Sequence, residues 1–395
     1  MTGDVARPPL IGIVAGETSG QLLAAELIEA LNARLGASAR LIGVGGPPLD
    51  ALGLNSLFDA DEIALMGLSA VLKSLPRLAR RIGQTADALI AAKPDCLIIV
   101  DSPDFSLRVA RRVKLRLPHL PVVKYVAPTV WAWRPGRARA MAAFVDHVLA
   151  ILPFEPQVMA DLGGPETHYV GHRLMADAEL ERCWQSNRTR GPRAEGDDTI
   201  NLLLLPGSRR SEVRALLGDF RQAVEILRER GRALSISLPT LPHLERQVRD
   251  HVLEWPDMVH VTTGRQAQIE AYGRADVALA ASGTVLLELA LAGVPAISCY
   301  RADPLIRRVA ERMLTTWSAA LPNIIADKVV INEYYDEMIR PGMLARLAET
   351  LARPGSAERT RMMDDYADIR DRMRVAVPPS EKGADIVAAA LRRDG

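Results

Sequence analysis

Residues 202–210, Leu-Leu-Leu-Leu-Pro-Gly-Ser208-Arg209-Arg210, place a hydroxyl, a guanidinium and the free N–H groups of a helix start behind an apolar run. A pyrophosphate needs such a set of donors. The same residues also read as a serine cap followed by a solvated arginine. Residues 278–288 repeat the design: an apolar strand, the turn Ser282-Gly283-Thr284, then a helix with Glu288 one turn in. The Ser and Thr can cap that helix while its N–H groups face a phosphate, and Glu288 can accept from ribose hydroxyls. Each turn alone is compatible with an ordinary capped helix, but two of them in one sheet point to a nucleotide diphosphate. The chain contains no Gly-x-x-x-x-Gly-Lys-[Ser/Thr], which disfavours a P-loop NTPase.

The first half offers a carboxylate and a second glycine turn. Asp101 ends the apolar run 96–101, where a general base for an attacking hydroxyl would belong, and Asp104 follows it. Asp101 also reads as a turn-stabilising aspartate, and Asp104 as the cap of the next helix. Upstream, Ala15-Gly16-Glu17-Thr18-Ser19-Gly20-Gln21 joins an apolar strand to a helix, and its glycines let an oxygen-rich ligand approach the backbone. It also reads as a tight turn without a ligand. Its spacing is not Gly-x-Gly-x-x-Gly, and no acid follows the second strand at Gly45-Gly46, which disfavours NAD. The seven histidines show no ligand spacing with nearby cysteines, so neither metal nor cofactor is expected. Trp131 and Trp133 read as packing residues.

Residues 63–82 combine Leu68, Leu72, Leu75, Ala79 and Ile82 at helical spacing with Lys73, Arg77, Arg80 and Arg81. An apolar face with a basic flank suits a peripheral protein at an anionic leaflet, or the entry of an acylated substrate. Met66, Leu68, Leu72, Lys73 and Arg77 are the candidate contacts. Core packing with solvated arginines is the plainer reading, and Pro76 is expected to kink the helix.

These groups need a scaffold. Short β-rich runs at 10–15, 40–44, 96–101, 122–126 and 147–152 alternate with helical patterns, and a second series follows at 200–205, 234–238, 259–261, 277–281 and 296–299. Alternation of this kind builds parallel sheets from βαβ units. The fold class is α/β, with two Rossmann-like, doubly wound domains expected at 1–180 and 199–356. The polar stretch 183–198 reads as a linker. The tail 357–395 reads as helices, interrupted at Pro378-Pro379, that pack back on the first domain.

At 395 residues the chain suits two cores. With 49 basic and 48 acidic residues it carries no field to collect nucleic acid. Cys96, Cys183 and Cys299 are far apart in apolar or helical contexts, against a disulfide framework and in favour of a reducing cytosol. The first apolar run, 10–16, is too short for a signal, and no run approaches the roughly 18 residues of a span.

The motifs together resemble the lipid-A-disaccharide synthases, inverting glycosyltransferases of the two-domain GT-B type. The match runs in order through Ala15-Gly-Glu-Thr-Ser-Gly20, Ala64-Leu-Met-Gly67, Asp101-Ser-Pro-Asp-Phe105, Tyr125-Val-Ala-Pro-Thr-Val-Trp-Ala-Trp133 and Leu152-Pro-Phe-Glu155. It continues through Tyr169-Val-Gly-His172, Leu205-Pro-Gly-Ser-Arg209, Ala281-Ser-Gly-Thr284 and Leu321-Pro-Asn323. The resemblance implies two domains facing a cleft and transfer from UDP-2,3-diacylglucosamine to 2,3-diacylglucosamine 1-phosphate, without a metal. It implies a cytoplasmic protein held peripherally at the inner membrane, with homodimerisation left open. Asp101, with Glu17, falls on the catalytic side. Ser208, Arg209, Ser282, Gly283, Thr284, Glu288 and Asn323, with Gly16, Ser19 and Gly20, fall on the UDP-sugar side.

Two positions depart from the family pattern. Gln21 stands where the family has Asp after Ser-Gly, and Ala70 where it has Glu after Met-Gly. Both lie on the acceptor half. They motivate one alternative, a catalytically impaired, membrane-attached UDP-sugar or lipid binder. A UDP-sugar isomerase on the same fold is the other.

Overall fold

The computed structural model describes residues 7–64, 71–191, 198–301 and 315–392, with the side chains of 64 and 71–75 set aside. The chain forms two compact units, Met1–His172 with Val375–Gly395, and Arg173–Arg374.

In the first unit, β1 (Leu10–Ala15), β2 (Arg40–Val44), β3 (Cys96–Val100), β4 (Val122–Tyr125), β5 (His147–Ala150) and β6 (Glu166–Tyr169) form one sheet in the order β2-β1-β3-β4-β5-β6. Every neighbouring pair is parallel. The central strands are mostly apolar because both faces are covered, as parallel sheets require, with the buried Lys124 of β4 an exception. Val14, Leu97, Ile99, Val122 and Val148 enter one core with Leu78, Ile82 and Leu89 of the helix Val71–Ala92. Ile11, Ile13, Ile98, Val123 and Leu149 enter the other, with Leu23, Leu27, Ile28 and Leu31 of the helix Thr18–Leu35.

The second unit repeats the plan with β7 (Ile200–Leu205), β8 (Leu234–Thr240), β9 (Val259–Thr263), β10 (Val277–Ala281), β11 (Ala296–Tyr300) and β12 (Glu333–Tyr335). Its order is β12-β11-β10-β7-β8-β9, again all parallel. Strand order reverses between β1 and β3 in one unit and between β7 and β10 in the other. Ligands bind beyond the carboxyl ends of strands at such reversals, and the candidate turns follow β1, β3, β7 and β10.

Four expectations are corrected. The sequence reading lacks β6 and β12, whose residues Glu-Thr-His-Tyr and Glu-Tyr-Tyr sit at sheet edges and form no apolar run. The stretch 183–198 is no simple linker: the helix Ala178–Arg188 runs into it, and the Asn187 amide donates to Tyr272 O at 3.1 Å and Ala292 O at 2.9 Å. Arg190 continues the clamp, donating to Arg274 O, Ala275 O and Asp276 Oδ1, each at 2.9 Å. The tail divides. The helix Ala357–Met373 buries Met362, Tyr366, Ile369 and Met373 within the second unit, and only the helix Pro379–Arg392 packs on the first. That last helix lies along Thr18–Leu35, with Val387 and Ala388 in the core, a Gly383 whose Cβ would fall 2.9 Å from Leu27 Cδ1, and an Arg34–Asp385 ion pair at 2.9 Å.

Candidate active site

The second unit holds a cavity of about 310 Å³ at its strand-order reversal, lined by Ser208, Arg209, Ser282, Thr284 and Glu288 among others. Five of the predicted UDP-side residues therefore converge without any local sequence linking the two turns. After β7 the chain turns at Gly207, in the left-handed region at φ +114°, where a Cβ would fall 2.5 Å from Glu212 Oε2. Glycine is the residue that fits there. Glu212, missed in the sequence reading, accepts from the backbone N–H groups of Ser208 at 2.9 Å and Arg209 at 3.2 Å. Its other oxygen accepts from the Arg209 guanidinium at 2.7 Å. The serine is thus not the cap that one reading made of it. Thr284 likewise makes no side-chain cap bond at the helix Val285–Ala292, which leaves the turn Ser282-Gly283-Thr284 facing the cavity.

Glu288 is held in place by three donors: Arg265 at 2.8 Å, Tyr272 at 3.2 Å and Gln268 at 3.4 Å. Arg265 also donates to Asp177 at 2.8 Å. Asp177 in turn caps the helix Ala178–Arg188 through the N–H groups of Glu179 and Leu180. Two carboxylates bonded to one guanidinium keep it charged. Burial, reinforced by Glu288, pushes the Tyr272 hydroxyl well above its ordinary range, so it stays a donor. The chain Asp177–Arg265–Glu288 joins a helix cap to the rim of the cavity, and no spacing rule reveals it. Asn323 does not line this cavity. It is buried, its amide N–H donates to Ile331 O at 2.9 Å, and its carbonyl accepts from Val330 N at 2.9 Å and Ile331 N at 2.8 Å.

In the first unit, Asp101 follows β3 with φ +48° and Ser102 follows it with φ +37°. Two successive non-glycine residues in the left-handed region cost about 1–3 kcal/mol each and persist only where the surroundings enforce them. The enforcement is visible. The buried Lys124 Nζ and the Ser106 hydroxyl both donate to the Asp101 carbonyl, at 2.8 Å each. Burial is the main cause that lowers Lys124 to about 8, against the opposing pull of Asp101. Val126, the next turn along the same edge, is also left-handed at φ +67°. Strain of this kind clusters at functional sites.

Gly20 and Gly16 bring the first turn against this one. A Cβ at Gly20 would meet Asp101 Cβ at 3.4 Å, and one at Gly16 would meet the Ser102 hydroxyl at 3.1 Å. Glu17 has its carboxyl raised, first by burial and then by the charge of Asp101. The two predicted catalytic carboxylates thus feel each other. Gln21 is 4% exposed and donates to Gly16 O at 2.8 Å, so at this position the side chain braces the turn. Asp104 is not a cap: it lies in the first helical turn and accepts from Arg137 at 2.7 Å. Ser19 lies in the first turn of the helix Thr18–Leu35 and is exposed.

A family model described as Lipid-A-disaccharide synthetase matches residues 11–377. The chain belongs to this family. The lipid-A-disaccharide synthase of Nitrobacter winogradskyi is 45% identical over 384 residues, 97% of this chain and 96% of the relative. Solved structures share the fold at much lower identity. The glycosyltransferase of kitacinnamycin aligns with a TM-score of 0.61 at 16% identity, covering 98% of this chain and 100% of its own. The UDP-GlcNAc 2-epimerase of Neisseria meningitidis aligns with 0.56 at 13%, covering 97% and 100%. A transferase and an epimerase align almost equally well, so the GT-B architecture is common to both chemistries. It is the family match that separates this chain from the isomerase reading.

The membrane segment is less visible. Met66 and Leu68 lie outside the described residues, as do the side chains of Leu72 and Lys73. Arg77 donates to Glu62 at 2.9 Å, and Arg81 donates to the same carboxylate at 2.6 and 2.9 Å. Ile82 is core, as the plainer reading had it, and the helix Val71–Ala92 carries Pro76 inside it. Among the described residues, no helix is long and apolar enough to cross a membrane.

Proposed function

We propose that this chain transfers a 2,3-diacylglucosaminyl group from UDP to the 6-hydroxyl of 2,3-diacylglucosamine 1-phosphate, with inversion, giving the β-1,6 disaccharide of lipid A and UDP. The observation that carries the reading is the family match across nearly the whole chain. The roles assigned here are those the geometry supports. Asp101 takes the proton of the acceptor hydroxyl as its oxygen bonds to the anomeric carbon. The bond from that carbon to the UDP oxygen breaks, and negative charge grows on the diphosphate. Arg209 and the N–H groups of Gly207, Ser208, Gly283 and Thr284 stabilise that charge, the Ser282 N–H being taken by Cys299 O at 3.0 Å. Glu288, fixed by Arg265 and Tyr272, accepts from the ribose hydroxyls. Glu17, raised first by burial and then by the charge of Asp101, is assigned to stand beside Asp101 on the catalytic side. Asn323 acts from a distance, holding the loop 330–333 in shape.

The acylated substrates live at a membrane, and residues 66–77 are assigned a peripheral contact with the anionic cytoplasmic leaflet. Neither half of the chemistry calls for a second copy of the chain. Purified protein mixed with both acylated sugars in the presence of chelator is expected to produce disaccharide and UDP in equal amounts. Binding of UDP without product would favour the impaired binder instead.

A further inference from the structure

One cluster lies apart from every residue used above. His147 opens β5, and Glu166 and His168 stand two residues apart on β6. The parallel register sets His147 opposite Glu166 and Leu149 opposite His168. Residues two apart on a strand share a face, so all three side chains meet on the face that carries Leu149. His147 Nδ1 and His168 Nε2 are 3.3 Å apart, His147 Nδ1 and Glu166 Oε2 3.3 Å, and His168 Nε2 and Glu166 Oε1 3.5 Å.

One proton between the two nitrogens serves only one of these three contacts. A hydrogen bond places one proton between two lone pairs. If both nitrogens carry hydrogens for the carboxylate, two N–H groups face each other. If one nitrogen donates to the other, the acceptor turns its lone pair on the carboxylate. A cation serves all three contacts, because each group then offers it a lone pair. Ligand atoms about 2.0–2.1 Å from a tetrahedral zinc stand about 3.3–3.4 Å from one another, a spacing the two nitrogens already have at 3.3 Å, while one carboxylate oxygen lies within 4.8 Å of both.

We propose that His147, Glu166 and His168 bind a divalent transition-metal cation, with Zn²⁺ the best match and water in the fourth position. Two imidazoles and a carboxylate suit zinc, whereas Mg²⁺ and Ca²⁺ prefer oxygen throughout. The sequence hides the site because its members are separated by a helix and two turns. Buried His147 is fixed by the core, while exposed Glu166 leaves a route from solvent. The site sits where β5 and β6 begin, and Asp101 follows the end of β3, so in a parallel sheet the two lie at opposite ends. Its role is structural. It ties to its neighbour an edge strand in which no residue is fully buried.

Full-length protein, stripped with chelator and dialysed against Zn²⁺, is expected to retain one zinc per chain and to melt at a higher temperature. Mg²⁺ should do neither. Glu166→Gln with His168→Gln is expected to lose both effects while keeping the metal-free melting temperature and the turnover measured in chelator. Failure of the wild-type protein to retain zinc, or undiminished retention in the double variant, overturns the site. Should that variant not fold, zinc K-edge absorption of the wild-type protein decides: scattering from two imidazoles is expected, and its absence rejects the proposal.

Discussion

Glu212 accepts the backbone N–H of Ser208 at 2.9 Å, and so occupies a donor that a diphosphate oxygen would take. On the proposed function the carboxylate takes the place assigned to a phosphate oxygen and braces the turn after β7. A diphosphate entering the cavity must displace it or sit beside its negative charge. Glu212→Gln keeps the size and one acceptor oxygen for the turn N–H groups, gives up the bond from the Arg209 guanidinium, and removes the charge. It is expected to tighten UDP binding by up to about tenfold, or roughly 1.4 kcal/mol. Calorimetry at fixed ionic strength measures this, and weaker binding would mean that the carboxylate only supports the turn.

Arg209 should behave in the opposite way. Its guanidinium lines the cavity and is bonded to Glu212, from which a diphosphate can draw it. Arg209→Ala is expected to weaken UDP binding by about 1.5–3 kcal/mol, the worth of a hydrogen bond to a charged group. The same titration run with chelator and with Mg²⁺ should give one affinity.

Asp101→Asn isolates basicity, because asparagine tolerates the left-handed conformation as well as aspartate does. Turnover is expected to fall roughly 10²–10⁴-fold, with melting temperature and UDP affinity nearly unchanged. A lowered melting temperature with turnover within a few-fold would make Asp101 a brace for the turn and remove it from the chemistry.

Two buried groups shape stability against pH with opposite signs. Burial is the main cause that raises Glu155 from 4.5 to about 8, although its carboxylate accepts from Ile151 N and Leu152 N. Between those values the unfolded chain is ionised and the folded chain is not, so stability falls as pH rises. Lys124 is lowered from 10.5 to about 8, so over that range the unfolded chain binds the extra proton and stability rises with pH. The two contributions meet in a minimum near pH 8, each arm limited to about 1.4 kcal/mol per pH unit. Denaturant melts across pH should show Glu155→Gln flattening the lower arm and Lys124→Met the upper. Unchanged slopes would mean that neither group is held as described.

Partition onto anionic vesicles should be salt-sensitive and should be lost on combining Leu68→Asp with Lys73→Glu. Sedimentation that ignores both the salt and the substitutions would return the segment to ordinary surface. Because Glu62 is shared by Arg77 and Arg81, Glu62→Gln is expected to strengthen the partition by freeing their charge.

The strands that a sequence reader finds are those whose burial is two-sided. Ile98, Ile99 and Val100 announce β3 because both faces of that strand are covered. Edge strands are legible only where they keep apolar residues: β2 and β9 do, through Leu41, Ile42 and Val44 and through Val259 and Val261, whereas β6 and β12 have no apolar run. The turns Gly207-Ser208 and Ser282-Gly283-Thr284 are legible because glycine and small hydroxyl residues are local requirements of a phosphate-type turn. Arg265, Lys124 and Glu212 are not, since their meaning lies in partners set by the fold. Lys124 looks like an ordinary lysine until β4 is laid beside β3, when its ammonium reaches the Asp101 carbonyl. Asn323 shows the converse error: its motif is legible, but its side chain is consumed by the loop it holds.

The helix Pro379–Arg392 completes the core of a unit whose other elements all precede residue 173. A ribosome delivers Val387 only after the whole of Arg173–Arg374 has emerged, so the amino-terminal sheet waits through synthesis with Leu27 and Leu149 uncovered on that face. The unit begun first is finished last. Vectorial folding ordinarily favours the amino-terminal unit, but here the contiguous second unit is complete in the nascent chain while the first still lacks its final helix. Nascent chains arrested before Val387 should therefore expose the first unit to protease and chaperones while the second is already protected.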